Sequence, residues 1–256
     1  MPFTLAHPAA ILPLRHFRGL RTAPLIVGAV APDLPYYGPT RYTGFLLHET
    51  HRLRGSWSID LPLGLALLGC LFVLRRPLTV LLPARSRALC LRALEPYARR
   101  PLEWLLAPAA VLIGVWTHLL WDSFTHSDGW MVQRIEALSQ VVTIGPFTGE
   151  LCHVLQYLSS VVGLTIVAVW YWRLEPLPAP RTRPAAAPSA ATLVLLLAAA
   201  AALVIGGVQA IETYAATAAI YRTLDVLLTH TLAWFAGLYL VAGTVVALRR
   251  DAPESG

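Results

Sequence analysis

Five stretches of this chain are long and apolar enough to cross a bilayer, at roughly residues 58–74, 104–124, 154–172, 191–210 and 226–248. Hydrocarbon offers no partner to a peptide N–H or C=O, so a segment that enters it must satisfy its backbone internally. An α-helix of about 20 apolar residues does so and spans the core. The sequence therefore predicts an all-α fold: a polytopic membrane helical bundle of about five transmembrane helices. A shorter apolar run over residues 23–34 is broken by Gly28 and Pro32. It reads as a short N-terminal helical or re-entrant segment packed inside the bundle.

Apolar residues make up 56% of the chain and charged residues 13%, against about 25% charged in soluble domains. No large separate soluble domain is expected. The net charge of +6 rests on arginine alone, since the sequence has no lysine. In a membrane protein, arginines anchor cytoplasmic helix ends and meet anionic lipid. No basic patch interleaved with aromatics stands out, so membrane lipids are expected as partners and nucleic acid is not. Trp57, Trp104, Trp121, Trp130, Trp170, Tyr171 and Trp172 lie at or near span ends, where an interfacial belt would place them. Cys70, Cys90 and Cys152 stand far apart without a C-x-x-C pair. They read as small buried apolar residues, not as a disulfide framework or a cysteine zinc site. The start, Met1-Pro2-Phe3-Thr4, lacks the charged lead and apolar core of a signal peptide, so His7 is expected on the mature protein.

Arginines set the expected orientation. Arg75, Arg76, Arg85, Arg87, Arg92, Arg99 and Arg100 follow the first span. Arg173, Arg181 and Arg183 follow the third, and Arg249 and Arg250 the fifth. Alternating spans put all three groups on one side, which the positive-inside rule makes cytoplasmic. His48, His51, the His118 end of the second span, His126 and His153 then share the opposite side. Arg15, Arg18, Arg21, Arg41, Arg52 and Arg54 run against that assignment. Residues 1–175 read as a membrane domain rich in histidine and aromatics, and residues 176–190 as a proline–alanine–arginine linker. Residues 191–250 read as a C-terminal pair of spans packed through small residues. Between the first two spans, residues 87–97 set leucines among arginines, the pattern of an interfacial helix.

Ionisable groups are costly in hydrocarbon, so His118 and Asp122 inside the second span need a reason to be there. At i and i+4 on a helix they point the same way and can grip one ion without distorting the backbone. The competing reading is a buried His–Asp hydrogen bond that locks two helices. The metal reading is favoured, because His126 is one turn further on and His7, Asp33, His48 and His51 stand upstream. His126 suits a further ligand, a general acid or a solvated residue at a helix end marked by Gly129. Asp33 follows Pro32, as a turn aspartate would, or as a hard oxygen ligand able to bridge two ions. Glu150 and His153 flank the third span and could supply a proton or a second-ion ligand. Asp60 reads as a carboxylate near a helix N-terminus, and Glu212 and His230 as structural.

Four segments resemble a bacterial family of membrane proteins catalogued as domain of unknown function 4184. They are Thr4-Leu-Ala-His7-Pro8-Ala9-Ala10, Gly28-Ala-Val-Ala-Pro32-Asp33, His51 followed by Asp60-Leu-Pro-Leu-Gly64, and His118-Leu-Leu-Trp-Asp122-Ser-Phe-Thr-His126. Leu155-Gln-Tyr-Leu-Ser-Ser-Val-Val-Gly163 also looks like that family. The family is similar to predicted membrane-bound metal-dependent hydrolases, and more distantly to helical zinc-dependent phospholipases C and nucleases. That resemblance implies a metal set of His7, Asp33, His51, His118 and Asp122, holding one or two divalent ions, zinc above all. A second helical His/carboxylate pair, present in the phospholipase group, has no clear counterpart here.

The expectation is a metal-dependent hydrolase in a bacterial inner membrane, acting on a lipid-like or membrane-proximal ester or phosphoester. His126 or Glu150 would serve as acid or base, and Arg52 or Arg54 would contact a phosphate. Two other readings stand beside it. One is a non-enzymatic structural, transport or assembly protein whose His–Asp pair locks the bundle. The other is a membrane non-haem iron oxidase, which the scattered histidines fit poorly.

Overall fold

The computed structural model describes residues 3–17, 19–38, 40–145, 147–174, 188–217 and 220–251. Short helices come first: α1 (Pro8–Ile11), α2 (Thr22–Val30), then a 3-10 turn over Ala31–Tyr37 and α3 (Thr40–Thr50). A single π-helical stretch, Ser56–Asp60, runs into α4 (Leu61–Val73). After α5 (Arg75–Val80) and α6 (Ala84–Arg99) comes α7 (Pro101–Asp122). A short α8 (Glu136–Ser139) precedes a hairpin of β1 (Val141–Ile144) and β2 (Phe147–Glu150), and α9 (Leu151–Arg173), α10 (Pro188–Thr217) and α11 (Ile220–Asp251) complete the chain.

Among the described residues, five helices are long and apolar enough to cross a membrane: Ser56–Val73, Pro101–Asp122, Leu151–Arg173, Ala191–Thr217 and Thr223–Arg249. They match the five stretches expected from hydropathy. Their outward faces carry large apolar side chains, among them Leu105, Leu120, Leu158, Leu196 and Val241. Such faces suit lipid contact, and the chain is an all-α, membrane-embedded bundle. The hairpin is the one strand pairing among the described residues. It pairs Val141 with Glu150 antiparallel and turns at Gly145, whose φ of +60° suits glycine.

The structure divides into two compact units. The first comprises Met1–Pro35, Arg41–Gly69 and Pro96–Glu175. Its centre is the contact of α2 with α7, which realises the short apolar run as a buried helix. Pro24 fits the first turn of α2, where its missing N–H costs nothing. Two glycines allow the close crossing: a Cβ at Gly28 would fall on the Val111 carbonyl, and one at Gly114 on the Leu25 carbonyl. Ile11, Leu25, Ala29 and Ala110 fill one side of this crossing, and Ala31, Val111 and Val115 the other. At its far end Arg21 grips Glu103 with a two-pronged hydrogen bond, Nε to Oε2 measuring 2.8 Å.

The second unit comprises Tyr36–Thr40, Cys70–Glu95 and Pro176–Gly256. There α10 and α11 pair, with Ala202 and Ala210 buried, and α11 packs on α5. The Tyr239 hydroxyl donates to the Leu78 carbonyl at 2.6 Å, and His230 Nδ1 meets Gln209 Oε1 at 2.8 Å. The α6 helix forms where an amphipathic helix was expected. Most of the expected 176–190 linker lies outside the described residues, and α10 begins at Pro188.

Candidate metal centre

Four segments of the first unit bring their polar side chains to one place. His7 sits between the 3-10 turn Thr4–Ala6 and α1. Its position is fixed from α9: the Phe3 N–H donates to Ser160 Oγ at 3.1 Å. The neighbouring Ser159 Oγ accepts from Trp121 Nε1 at 3.1 Å, and the Trp121 ring meets His7 edge-on at 5.7 Å between centroids. Asp33 lies in the 3-10 turn that Pro32 and Pro35 impose after α2. His51 lies just past α3. The Thr50 hydroxyl donates to the Pro32 carbonyl at 2.9 Å and so ties these two segments together. His118 and Asp122 occupy the last turns of α7.

The distances are short. His118 Nε2 lies 3.1 Å from Asp122 Oδ2 and 3.7 Å from Asp33 Oδ1. His51 Nε2 lies 3.4 Å from Asp33 Oδ1 and 3.5 Å from Asp122 Oδ2. His7 Nε2 lies 3.6 Å from Asp122 Oδ1. The His7 and His118 rings stack with centroids 3.7 Å apart. His7, Asp33, His118 and Asp122 are all buried. Yet both nitrogens of His7, Nε2 of His118, Oδ2 of Asp33 and both oxygens of Asp122 lack a hydrogen-bond partner. Atoms this close, this buried and unsatisfied by one another are costly unless a further group fills the gap between them.

Hydrogen bonds on the outer side of the rings define what that group can be. A carbonyl only accepts, so His118 Nδ1 donates to Ala29 O at 2.8 Å and His51 Nδ1 donates to Leu47 O at 2.8 Å. In the neutral rings the Nε2 lone pairs then face the carboxylates, an arrangement usual for metal-binding histidines. Burial, with His118 alongside, drives the His7 pKa down to about 3, so His7 is neutral at ordinary pH. Burial opposes the charge on Asp33, but His118, His51 and His7 outweigh it and hold its pKa below the ordinary value. For His51 burial works against protonation, and Asp33 reverses that and raises its pKa. Two of the subsets could each hold a divalent ion: His7, Asp33 and His118; and His51, His118 and Asp122. The donor chemistry of imidazole and carboxylate fits zinc and its neighbours.

Every metal ligand expected from sequence is thus in this cluster. His126 is at its edge, with Nδ1 3.7 Å from Asp122 Oδ1. It is not on the helix as expected: α7 stops at Asp122, not near Gly129. Met131 and Val132 both donate to the Ser123 carbonyl at 3.1 Å, and Gly129 N–H closes on His126 O at 2.8 Å. The chain turns there instead of continuing. His126 remains partly exposed, and burial lowers its pKa.

Other expected residues fall elsewhere. Glu150 is grouped with Cys152 and His153, away from this donor set. His48 is exposed, and Arg52 and Arg54 both turn to Glu49, with Arg54 Nη2 2.6 Å from its carboxylate. Asp60, expected as a carboxylate near a helix N-terminus, stands directly before α4. It lies a turn inside the first span, fully buried, with neither oxygen hydrogen-bonded, and interacts electrostatically with His51 and His118. Sequence reasoning also passed over Ser159 and Ser160. Their signal was two hydroxyls side by side within a membrane span.

The profile described as Domain of unknown function (DUF4184) matches residues 1–248. No curated protein and no solved structure gives a significant match.

Proposed function

The chain belongs to the domain of unknown function 4184 family, and from its buried cluster we propose a membrane-bound metal-dependent hydrolase. The observation that carries this reading is the convergence of three histidines and two aspartates from four segments, with both nitrogens of His7, Nε2 of His118, Oδ2 of Asp33 and both oxygens of Asp122 unsatisfied. A bundle-locking pair would need only His118 and Asp122, hydrogen-bonded to each other. The resemblance to predicted membrane-bound metal-dependent hydrolases points the same way.

His7, Asp33, His51, His118 and Asp122 would hold one or two divalent ions, zinc above all. Such an ion supplies Lewis acidity and lowers the pKa of a coordinated water. Asp33 and Asp122 balance its charge, and Ala29 and Leu47 fix the tautomers of His118 and His51. His126 borders the cluster, has access to water and holds or releases the proton that hydrolysis moves. Glu150 is less well placed for that task. Arg52 and Arg54 would reach a phosphate only by leaving Glu49. With the site at the end of a membrane-crossing helix, the substrate is a lipid-like or membrane-proximal ester, most simply a phosphoester, in a bacterial inner membrane.

The test is elemental analysis of purified protein, together with hydrolysis of a chromogenic phosphodiester in detergent micelles. Wild type should carry zinc or a similar ion and turn the substrate over. Asp122→Ala should lose at least one ion per chain and the activity with it. Unchanged metal stoichiometry in Asp122→Ala would replace this reading with a helix-locking pair.

A further inference from the structure

We infer that Glu150, Cys152 and His153, beside Ser127, form a second cation site that clips the turn carrying His126 to the start of α9. It shares no ligand with the cluster above and does not depend on the hydrolase reading. One donor atom from each of the three residues lies within 4.8 Å of the others. Cys152 is fully buried in a small core with Val132 and Leu138, flanked by Phe124 and Leu155. Its thiol donates to Glu150 Oε2 at 3.4 Å. From the turn after α7, the Ser127 hydroxyl meets His153 Nε2 at 3.2 Å and also bonds Glu150.

Local structure explains the convergence. Glu150 is extended, with φ −67° and ψ 149°, and the helix begins at the next residue. The change from strand to helix folds the side chains of residues 150, 152 and 153 toward one another. The first turn of a helix presents free N–H groups, which favour an anionic donor such as the Glu150 carboxylate there. Once the thiol gives its proton to water, two anionic donors and an imidazole face one point, and a divalent cation neutralises them together. No oxidation is involved: a metal–sulfur bond replaces the S–H bond. Sulfur selects a thiophilic ion such as zinc over magnesium or calcium. With three protein ligands, the fourth position falls to water next to Ser127.

The consequence is mechanical. Ser127 follows His126 directly, so an ion held by the start of α9 fixes the turn that aims His126 at Asp122. The ion is structural, and the buried cysteine is the feature that distinguishes this site from the first.

The experiment uses full-length protein in detergent, stripped of metal, with Cys70→Ser and Cys90→Ser in the background. Cadmium is titrated in, and the ultraviolet sulfur-to-cadmium charge-transfer band is followed. The band should appear and saturate at one thiolate per chain. Cys152→Ser should abolish it, and His153→Ala and Glu150→Gln should each weaken cadmium binding at least about tenfold. The band should persist in Asp122→Ala, which disables only the first cluster. Absence of the band, or its survival in Cys152→Ser, would overturn the assignment. If Cys152→Ser does not fold, affinities unchanged in both His153→Ala and Glu150→Gln would overturn it equally.

Discussion

At His118 one hydrogen bond selects the tautomer. Nδ1 gives its proton to Ala29, and Nε2 is left facing two aspartates without an aligned donor or acceptor between them. A divalent ion would satisfy all three groups at once. His118→Gln should therefore keep most of the packing volume yet lower metal affinity by more than about 100-fold, since even outer partners of a ligand are worth 10- to 100-fold. Equilibrium dialysis with zinc measures this. His7 gives a second prediction, on metal-free protein. Its pKa of about 3 in the folded state lies far below the ordinary value of 6.5. The unfolded chain therefore takes up a proton that the folded one refuses. The stability this imidazole confers is complete above pH 6.5 and is lost as the pH falls toward 3, by about 1.4 kcal/mol per unit. Chemical unfolding between pH 7 and pH 4 should show a shallower pH slope in His7→Gln than in wild type. Equal slopes would mean that the folded chain protonates His7 freely.

Among the elements, α2 and α7 position most of the cluster, and their crossing depends on having no side chain at Gly28 and Gly114. Gly114→Val should destabilise the protein by about 1–3 kcal/mol through overpacking. It should also weaken metal binding, because it pushes Ala29 away from His118. A thermal melt paired with a zinc titration reads both effects. This scale also shows what the sequence could reveal. The spans were legible because hydrocarbon imposes a length and composition on any helix that crosses it. His118 and Asp122 were legible because i and i+4 share a helix face. His7, Asp33 and His51 were not derivable from spacing: no periodicity joins residues 7, 33 and 51, and while they stood out as upstream candidates, along with His48, it was the resemblance that joined them with His118 and Asp122 as one ligand set. The end of α7 was misplaced because Gly129 marks a tight turn further along, while the helix stops where the Ser123 carbonyl takes two N–H groups from residues beyond. The hairpin escaped because four-residue strands leave hardly any alternation to read. Cys152 looked like simple packing, as the other two cysteines do, because no C-x-x-C partner stands near it, while its neighbours Glu150 and His153 suggested only a proton source or second-ion ligands.

For the whole molecule, donors drawn from distant segments would make metal binding a contribution to folding. An ion that binds only the assembled site stabilises it by about 2.7 kcal/mol when present at 100 times its dissociation constant. In a Cys152→Ser background, where only the histidine–aspartate cluster remains competent, a chelator should lower the unfolding temperature of the detergent-solubilised protein. The same chelator should leave the corresponding His118→Gln protein unchanged. A chelator without effect on either would show that the cluster holds no ion.

The segments that furnish His7, Asp33, His51, His118 and Asp122 all precede the third span, whereas the two serines that pin Phe3 and Trp121 belong to that span. On the ribosome, where the N-terminal part emerges first, a nascent chain with two helices inserted already owns all five donors but not the brace that closes them. An ion that binds there would therefore meet its full set of donors before the brace from α9 is made.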